Sequence, residues 1–559
     1  MASNKITVPD GFTLHTENNS HILLLSNEAF LNPVQEFNRD LSVACIRTWS
    51  EQLHESKKAK WLLSQETKQA KQKQKKRPKL EASETDPPAS STTQPEFPQR
   101  KVVILEALSA TGLRSIRYAK EIPHVSCVIA NDLSPAATAA IKRNIEINGL
   151  GPRPPTSEAE EVAASVLPAE IKVMQGDACT LMYSHREGNK RVDVVDIDPY
   201  GTAAPFIDSA VQCVRDDGLL CVTCTDLSIL ATTNFPEKCF SNYGGVPIKG
   251  EFCHESALRL VLHSVSTSAA RYGRYIEPLI SLSIDFYVRL FIRVRTSPFE
   301  VKKAVTKTSS YWVCTDCQSF YSHPLCRVTE KIHPSGPVNL NFKLQAGPPV
   351  GDKCPECEGV LHSAGPMWSA PIHNQDFIGK LLAHLESNEK QYGTASRMKG
   401  MLTLAKDELP DCPFYFTPTR ISKFFHCVTP SFADVASALL NAGHKVARSH
   451  ASAGSIKTSA TRAEIFDIFR SWVKLHPVKN ISPNSAAQRL LAKEPKAEAN
   501  FTRHPDSVTH TAKVKLVRYQ ENPPNWGPKA KAASGSGPPA GGAKRKHVQL
   551  EEMEGEEED

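Results

Sequence analysis

The feature that most constrains this chain is the alternation of short apolar segments with helical patterns between residues 101 and 225. Such an alternation is typical of βαβ units, whose strands lie parallel in one sheet with helices on its faces. We therefore predict an α/β fold built on a doubly wound parallel sheet. The strands are predicted at 102–107, 125–131, 171–174, 192–197 and 218–225, and the β-branched run 279–294 is expected to supply the last strands.

Composition divides the rest of the chain into ordered and disordered parts. The sequence has 559 residues, of which 40% are apolar, so more than one folded domain is expected. Residues 57–79 hold ten Lys or Arg and one acidic residue, a composition typical of disorder. The predicted organisation is a sheet domain formed by 1–54 and 99–297, a disordered basic insertion at 55–98, an α+β carboxyl-terminal domain at 298–479 and a disordered tail at 480–559.

The same composition excludes several classes of protein. No secretory signal opens the sequence, and no uncharged run is long enough to span a bilayer. The first 20 residues carry one Lys and two acidic side chains, which makes a poor mitochondrial transit peptide. The 15 cysteines are scattered and odd in number. We expect a soluble intracellular protein with reduced thiols and no membrane contact.

Three predicted strands end in residues that suit a nucleotide-like ligand. The turn 108–114 follows the first strand, Asp132 ends the second, and a Gly-Asp-Ala turn follows the third. These ends share one edge of a doubly wound sheet, where ligands bind. The pattern favours an S-adenosylmethionine site in which Arg114 meets the methionine carboxylate and Asp132 accepts from the ribose hydroxyls. Asp177 and the Ala178 N–H would then meet the adenine. The alternatives are an ordinary βα turn, a helix-capping acid and a common Gly-Asp turn.

The fourth strand ends in the turn Asp198-Pro199-Tyr200-Gly201, which carries the catalytic signal. The amino group of a base is a weak nucleophile because its lone pair is delocalised into the ring. Asp198 and a neighbouring backbone carbonyl, fixed by Pro199, would accept its two N–H bonds and stabilise the positive charge that develops. Tyr200 offers a face on which a flipped base can stack. The alternative is a plain type I turn.

Five segments resemble, in order, the tRNA guanine-N2 dimethyltransferase family, whose members modify guanine at position 26 of tRNA. They are FLNPVQEFNRDLS (30–42), LSATGLRSIRYAKE (108–121), NDLS (131–134), GDA (176–178) and DIDPYGTAAPFIDSA (196–210). The resemblance covers about 1–54 and 100–475. It implies a class I, Rossmann-like methyltransferase domain followed by a family-specific carboxyl-terminal domain, with S-adenosyl-L-methionine as methyl donor and tRNA as partner. No obligate protein partner is implied.

The resemblance also implies roles for individual residues. Arg39 and Arg114 would hold the methionine part of the cofactor, while Asp132, Asp177 and Ala178 keep the ribose and adenine roles given above. Asp198 would be the catalytic acceptor. The target guanine would be sandwiched between Phe30 and Tyr200, a position at which many members have Phe. Without the family match, Arg39 is a surface helix residue and Phe30 a core residue.

Two Cys-x-x-Cys pairs lie in the predicted carboxyl-terminal domain. Four thiolates suit a tetrahedral, structural Zn²⁺ site with no open position for catalysis. The long spacing between the pairs requires a hairpin or loop between them, and free buried thiols are the alternative. The predicted ligands are Cys314, Cys317, Cys354 and Cys357, with His323, Cys326 and His362 as possible substitutes.

Basic residues suggest RNA contacts and a cellular location. Each candidate for a phosphate contact has a solvated charged face as its alternative. Lys75–Lys79 is predicted to be a nuclear import signal, with a general RNA-attracting tract as the alternative and Lys544–Lys546 as the next candidate. We therefore expect the nucleus, with cytoplasm and mitochondrion as further options. The phosphate candidates are Arg271, Arg274, Arg289, Arg293, Arg295, Lys302, Lys303, Lys307, Arg420, Lys423 and Lys457.

Two rival functions share parts of this pattern. A DNA adenine or cytosine amino-methyltransferase would use the same Asp-Pro-aromatic turn, but the segment 30–42 argues against it. A catalytically silent RNA-binding paralogue is opposed by the intact Arg39, Asp132 and Asp198. The segment Ser449-His450 and the pair Lys457-Thr458 resemble a carboxyl-domain motif of the family to which no step is assigned.

Overall fold

A computed structural model of the protein describes residues 6–25, 31–75, 97, 101–151, 169–336 and 338–507. The described chain opens with the hairpin of strands β1 (Phe12–Glu17) and β2 (Ser20–Leu25), followed by helix α1 (Glu36–Lys75). None of the helices in these ranges is long and apolar enough to cross a membrane.

Helix α1 corrects one predicted boundary. Residues 55–75, predicted as the start of the disordered insertion, continue the helix. Its first part buries Phe37, Leu41 and Trp49, whereas the part beyond residue 55 is mostly exposed. The reason is propensity: Lys, Gln, Glu, Ala and Leu are strong helix formers, so a nucleated helix extends through them without a core to cover it. Residues 76–96 lie outside the described residues.

The predicted α/β sheet is present. Its strands alternate with helices as expected, and Ser134 caps its helix by accepting a hydrogen bond from Ala137 N. The elements are β3 (Val102–Glu106), α2 (Leu113–Glu121), β4 (Val125–Asp132), α3 (Pro135–Ile147), β5 (Glu170–Gln175), α4 (Ala178–Ser184), β6 (Val192–Ile197), α5 (Ala204–Cys213), β7 (Val214–Cys224), α6 (Leu227–Leu230), α7 (Pro236–Tyr243), α8 (Cys253–Ala270), β8 (Arg274–Ile284) and β9 (Tyr287–Thr296).

The sheet has seven strands in the order β5-β4-β3-β6-β7-β9-β8. Strands β3 to β7 are parallel to one another, and β9 runs antiparallel to both of its neighbours. The strand order reverses direction at β3, between β4 on one side and β6 on the other. In doubly wound sheets this switch point opens a crevice at the carboxyl ends of the strands.

The remaining described chain mixes small sheets and helices, as predicted. Strands β11, β10 and β14 form one sheet, while β12 pairs with β13 and β15 with β16. The elements are α9 (Pro298–Lys302), β10 (Thr308–Cys314), β11 (Phe320–Pro324), β12 (Cys326–Ile332), β13 (Val338–Leu344), β14 (Leu361–Trp368), α10 (Gln375–Ser387), α11 (Ala395–Asp407), α12 (Pro418–Phe425), α13 (Phe432–Asn441), β15 (Val446–Ala447), β16 (Lys457–Thr458), α14 (Arg462–Leu475) and α15 (Ala486–Leu491).

Residues 480–507, predicted as part of the disordered tail, are folded. Ser485 caps α15, and Leu490 is fully buried beside α12 and α14. Arg489 donates to the Cys357 carbonyl. Local composition is polar here, but one apolar turn and a few hydrogen bonds to the neighbouring core hold the segment in place. Residues 508–559 lie outside the described residues.

The predicted sheet domain and the predicted carboxyl-terminal domain share two hydrophobic cores and do not form separate domains. One core joins β6, β7 and α8 with Tyr311, Met367 and Phe414, and a second joins α1, α2 and β3 with α10 and α11. Buried charges add to this contact: Lys457 Nζ lies 3.0 Å from Glu255 Oε2 and 2.9 Å from Glu408 Oε2. The described residues accordingly belong to one compact unit, without a break at residue 298.

Three predicted phosphate contacts are wrong for the same reason. Lys457 is buried between the two carboxylates, and Arg289 is fully buried against Asp196. Arg274 is 1% exposed and donates to backbone carbonyls, at 2.7 Å for that of Arg215. Each side chain sits in the interior, where its charge or its N–H groups are satisfied by protein atoms, so none is available to RNA.

Candidate active site at the carboxyl edge of the sheet

The predicted site residues cluster at the switch point between β3 and β6. Glu106 pairs in register with Asp196, and Ala107 N donates to the Asp196 carbonyl at 2.9 Å. The loop after β3 and the turn after β6 therefore leave the sheet side by side. Neighbouring β4 brings Asp132 to the same edge, and β5 is followed by Asp177. The edge thus combines the proposed cofactor and catalytic residues.

The loop after β3 is held by the end of β4. Asp132 Oδ2 accepts from Ala110 N and Oδ1 from Ser134 N, each at 2.9 Å. Asn131 Nδ2 donates to the carbonyls of Ala107 at 3.0 Å and Gly176 at 3.1 Å, so one amide links the loops after β3 and β5 to the end of β4. Both interpretations of Asp132 find support, because it holds backbone N–H groups and faces the crevice edge. Its ribose role stays a prediction.

Asp177 and Ala178 stand where the third loop turns into α4. Asp177 Oδ1 accepts from Thr180 N at 2.7 Å, and this hydrogen bond lowers the pKa of the carboxyl group. Asp177 is thus the N-cap of α4, a role that the sequence did not predict for it. The carboxylate is exposed and Ala178 is buried, and the adenine contact of the two residues stays a prediction.

The catalytic turn is tied to the end of β7. Gly201 N donates to Thr225 Oγ1 at 2.7 Å, and Thr225 N donates to the Gly201 carbonyl at 2.9 Å. Gly201 has a φ of +94°, a conformation that L side chains rarely adopt. Pro199 is buried, whereas Tyr200 is 89% exposed. The turn therefore presents an aromatic face to solvent directly beside Asp198.

Below the turn lies a buried ion-pair network. The Arg114 guanidinium contacts Asp198 Oδ2 and lies 3.5 Å from Asp196 Oδ2. Arg289 donates to Asp196 Oδ1 at 2.8 Å. Ser42 Oγ accepts from both arginines, at 3.0 Å from Arg114 and 2.8 Å from Arg289. Burial opposes the charge on Arg114, but Asp198 and Asp196 hold its pKa well above the ordinary value. We call Ser42, Arg114, Asp196 and Arg289 the Arg-Asp network.

Asn38 completes the surroundings of Asp198. Its Nδ2 donates to Asp198 Oδ2 at 3.3 Å and to Gln35 Oε1 at 3.0 Å. Both protein contacts of Asp198 therefore fall on Oδ2, and no described residue donates to Oδ1. The side chain of Asp198 is 23% exposed. One carboxylate oxygen is held by the protein and the other is left for a ligand.

The predicted cofactor residue Arg39 pairs with Glu17 and not with the residues around Asp198. Arg39 is buried, so the surface alternative is wrong. Its Nε donates to Glu17 Oε2 at 2.9 Å, and Arg117 Nη1 donates to the same carboxylate at 3.2 Å. Burial disfavours ionisation of Glu17, yet His15 and Arg39 hold its pKa well below the usual range. The contact of Arg39 with methionine stays a prediction, and Phe30 lies outside the described residues.

Sequence analysis missed Asn38, Ser42, Glu106 and Asp196, and it assigned Arg289 to another role. The available signal was a charged residue inside an apolar strand, as in VVILE, VDVVDI and YVRLFIRV. Such charges must be paired when buried. The sequence pattern of a strand does not show which residue of another element pairs with its buried charge.

The four predicted zinc ligands come together and are buried. Cys314 Sγ lies 3.4 Å from Cys357 Sγ, and Cys317 Sγ lies 3.6 Å from Cys354 Sγ. All four sulfur atoms fall within 4.8 Å of one another. Zn–S bonds of 2.3 Å in a tetrahedron require S–S distances of about 3.8 Å, so the set fits Zn²⁺. The loop predicted between the pairs contains β11 and the β12–β13 hairpin.

Replacing Glu106 by Gln should change how stability depends on pH. Burial raises the pKa of Glu106 from 4.5 to about 7, with Arg114 opposing the shift. The folded protein thus keeps a proton that the unfolded chain releases. This stabilisation is complete below the unfolded pKa and is lost as the pH rises through 7, a change of about 3 kcal/mol.

The measurement is urea unfolding of the natural chain and Glu106→Gln from about pH 4.5 to 8.5. The free energy of unfolding of the natural chain should fall relative to that of the variant as the pH rises. Glu170→Gln, which removes an exposed carboxylate, should give a difference independent of pH. A constant difference for Glu106→Gln as well would contradict the raised pKa.

Comparisons with known proteins identify the family of the chain. A model of the N2,N2-dimethylguanosine tRNA methyltransferase family matches residues 9–470. The tRNA (guanine(26)-N(2))-dimethyltransferase of Schizosaccharomyces pombe is 43% identical, over 90% of each chain. The human protein of that name is 39% identical over 91% of this chain and 76% of its own length. A Saccharomyces cerevisiae relative, whose name adds "mitochondrial", is 39% identical over 94% of this chain and 93% of its own.

A solved structure is also similar. Trm1 from Pyrococcus horikoshii, in complex with S-adenosyl-L-methionine, is 24% identical, covers 80% of this chain and 97% of its own, and superimposes with a TM-score of 0.57. This likeness confirms the predicted α/β fold. The family match and the similar relatives extend over most of the sequence, so the chain belongs to the N2,N2-dimethylguanosine tRNA methyltransferase family.

Proposed function

We propose that the chain transfers methyl groups from S-adenosyl-L-methionine to the N2 amino group of guanine 26 in tRNA, with Asp198 as the acceptor of that amino group. The activity follows from family membership and from the names of its relatives. The role of Asp198 is supported by one observation: Oδ2 is held by Arg114 and Asn38, whereas Oδ1 receives no hydrogen bond from the described residues and the side chain is 23% exposed.

The geometry suits methylation of a conjugated amino group. When bound, S-adenosyl-L-methionine supplies an electrophilic methyl group, and the C–S bond breaks as the C–N bond forms. Asp198 Oδ1 and a backbone carbonyl of the turn would accept the two N–H bonds of N2. This contact favours a pyramidal nitrogen and stabilises its developing positive charge. The N2 proton held by Asp198 would then pass to that carboxylate and on to solvent. After S-adenosyl-L-homocysteine is exchanged for a second molecule of S-adenosyl-L-methionine, a second transfer would give the dimethylated base.

The neighbouring residues prepare this arrangement. Arg114 keeps a positive charge beside Asp198, so the carboxylate remains an acceptor, and Asn38 fixes the plane of the group. Tyr200 is free to stack on the guanine, a role that Phe30 would share from the other side. Arg39, Arg114, Asp132, Asp177 and Ala178 are proposed to hold the cofactor as the sequence predicts.

Asp198→Ala should lower kcat by about 10²–10⁴-fold, as expected for a group that acts on the reacting amine. S-adenosyl-L-methionine should still bind with nearly the natural affinity. Asp132→Ala should behave in the opposite way. It removes a partner for ribose and for Ala110 N, so cofactor binding should weaken by about 1–3 kcal/mol.

Nucleoside mass spectrometry of tRNA after incubation with each protein measures the product, and calorimetry measures the cofactor affinity. Methyl transfer by Asp198→Ala above about a tenth of the natural rate would remove the assignment. Duplex DNA serves as a second substrate. Methylation of DNA and not tRNA would favour the rival amino-methyltransferase, and absence of cofactor binding would favour the silent paralogue.

We also propose that the Cys cluster, defined as Cys314, Cys317, Cys354 and Cys357, binds one structural Zn²⁺. Two observations besides the spacing support this. Gln318 N donates to the Cys314 carbonyl at 3.0 Å and Glu358 N to the Cys354 carbonyl at 2.8 Å, so the two pairs form the same kind of turn. The cluster also borders the apolar core formed by α12 to α15. Four protein ligands leave no open coordination position.

Cys354→Ser should lower the zinc content and the thermal stability of the protein, because structural zinc contributes folding free energy. The core beside the Cys cluster should loosen before the sheet, so cofactor binding should persist while tRNA methylation falls. Elemental analysis and thermal unfolding provide the readouts, with Cys326→Ser as the control cysteine outside the cluster. Natural protein purified without chelators that contains no zinc would refute the site.

For localisation, we propose nuclear import through Lys75–Lys79, of which residues 76–79 lie outside the described residues. A fluorescent fusion in which Lys75, Lys76, Arg77 and Lys79 are replaced by Ala should move to the cytoplasm. The same fusion with Lys544–Lys546 replaced should stay nuclear. Retention of the first variant in the nucleus would assign import to another segment.

A further inference from the structure

A polar groove of about 530 Å³ lies between the catalytic half and the Cys cluster. One wall is the segment between α6 and α7, and the other is formed by the first cysteine turn and the start of α12. The residues that line it include Ala231, Thr232, Thr233, Asn234, Lys249, Thr315, Gln318, Thr417 and Arg420.

One wall of the groove is connected, through the chain and through hydrogen bonds, to the turn that carries Asp198. Thr225, which holds Gly201, is followed by Asp226 and by α6, a single turn about 6 Å long that leads to the groove wall. Tyr243 OH at the end of α7 donates to Asp226 at 2.9 Å and bonds Thr202 Oγ1 at 2.7 Å. The segment between α6 and α7 is therefore fastened at both ends to the turn that carries Asp198.

Two exposed cations line this groove. Lys249 and Arg420 are exposed, and within the described residues neither forms an ion pair. Arg420 instead stacks over the Phe424 ring at 5.4 Å. Glu251 also lines the groove, and its Oε2 accepts from Thr417 N at 2.9 Å and Thr417 Oγ1 at 2.8 Å. Burial raises the pKa of Glu251, and the charges of Arg462 and Arg420 oppose that shift, so this one acid is shared between two arginines. The excess of positive charge favours an anionic ligand in the groove.

Two exposed aromatic side chains follow the groove wall along the chain: Phe235 is next to Asn234, and Phe240 is on α7. Phe240 is 60% exposed and Phe235 is 37% exposed. Lys238 Nζ lies 4.5 Å from the centre of the Phe235 ring. Exposed rings next to cations are the usual platform for unpaired bases, because every base has a face that can stack. A pocket for a small molecule would be mainly apolar and enclosed.

We propose that this groove binds the tRNA strand next to the target guanine, with Lys249 and Arg420 on phosphates and Phe235 and Phe240 on bases. The inference rests on the proposed function, and it gives the cysteine turn at Thr315 a part in RNA binding. The exposed hydroxyl of Thr233 and the exposed amide of Asn234 suit ribose and phosphate oxygens, which carry most contacts to nucleic acid backbones.

The test uses the full chain and compares Lys249→Ala, Arg420→Ala and the double variant with Lys331→Ala, an exposed lysine on β12 outside the groove. Fluorescence anisotropy gives the Kd for tRNA at several salt concentrations. Each groove variant should raise Kd about 5–10-fold and reduce the slope of log K against log salt by about 0.7–0.9. Lys331→Ala should change neither. Phe240→Ala should weaken binding without changing the slope, since stacking releases no counterions.

Cofactor affinity and the rate at saturating tRNA should stay near their natural values in all variants. Unchanged affinity and salt slope in the double variant would overturn the assignment, as would a lower rate with unchanged tRNA binding. Normal tRNA binding combined with lost binding of poly-glutamate would assign the groove to an acidic protein. If the natural chain fails to methylate tRNA, the proposed function fails, whereas the binding curves still decide the groove.

Discussion

The buried pairing of Arg114 and Arg289 with Asp196 is the interaction on which the site depends. A charge in the interior is costly unless it is paired and hydrogen bonded. Here the charges belong to α2, β6 and β9, and Ser42 brings α1 to the same point. These elements can occupy no other register without leaving a charge alone. The position of the turn at the end of β6 is fixed as a result.

Asp198 inherits its orientation from this arrangement. Arg114 reaches from the Arg-Asp network to Oδ2, and Asn38 approaches the same oxygen from α1. A carboxylate with the role proposed for Asp198, accepting from a weakly basic amine, gains from being fixed in advance, because no reorganisation is then needed during the reaction. The residues that achieve this are distant in sequence, so the site exists only when the amino-terminal helix, the sheet and its last hairpin are assembled.

The sequence predicts the structure correctly wherever a feature depends on a single residue or on the periodicity of apolar residues in one segment. Apolar runs placed the strands, Ser134 marked a helix start, and Asp132, Asp177 and Asp198 were located because strand ends meet at one edge. Sequence failed wherever the answer depends on a partner. Arg274, Arg289 and Lys457 were assigned to phosphate because their charge is visible in sequence, while Asp196, Glu255 and Glu408, which neutralise two of them, lie far away along the chain. The prediction of disorder is wrong for residues 55–75 and 480–507. Composition does not show that a helix continues through the first segment, or that the second packs on a core formed by residues distant in sequence.

Helix α8 has a consequence for how the protein can be divided. Glu255 and Arg259 form an ion pair on it, with both side chains 1% exposed. Their other partners are Lys457 Nζ, Phe414 N and the carbonyls of Trp368 and Ala370, all beyond residue 297. A fragment that ended at residue 297 would leave Glu255 and Arg259 without these partners and would expose an apolar face of α8. The part of the chain up to residue 297 is thus not a module that can be moved into another protein on its own. A recombinant in which the part beyond residue 297 is replaced would have to keep both Lys457 and the backbone around Phe414.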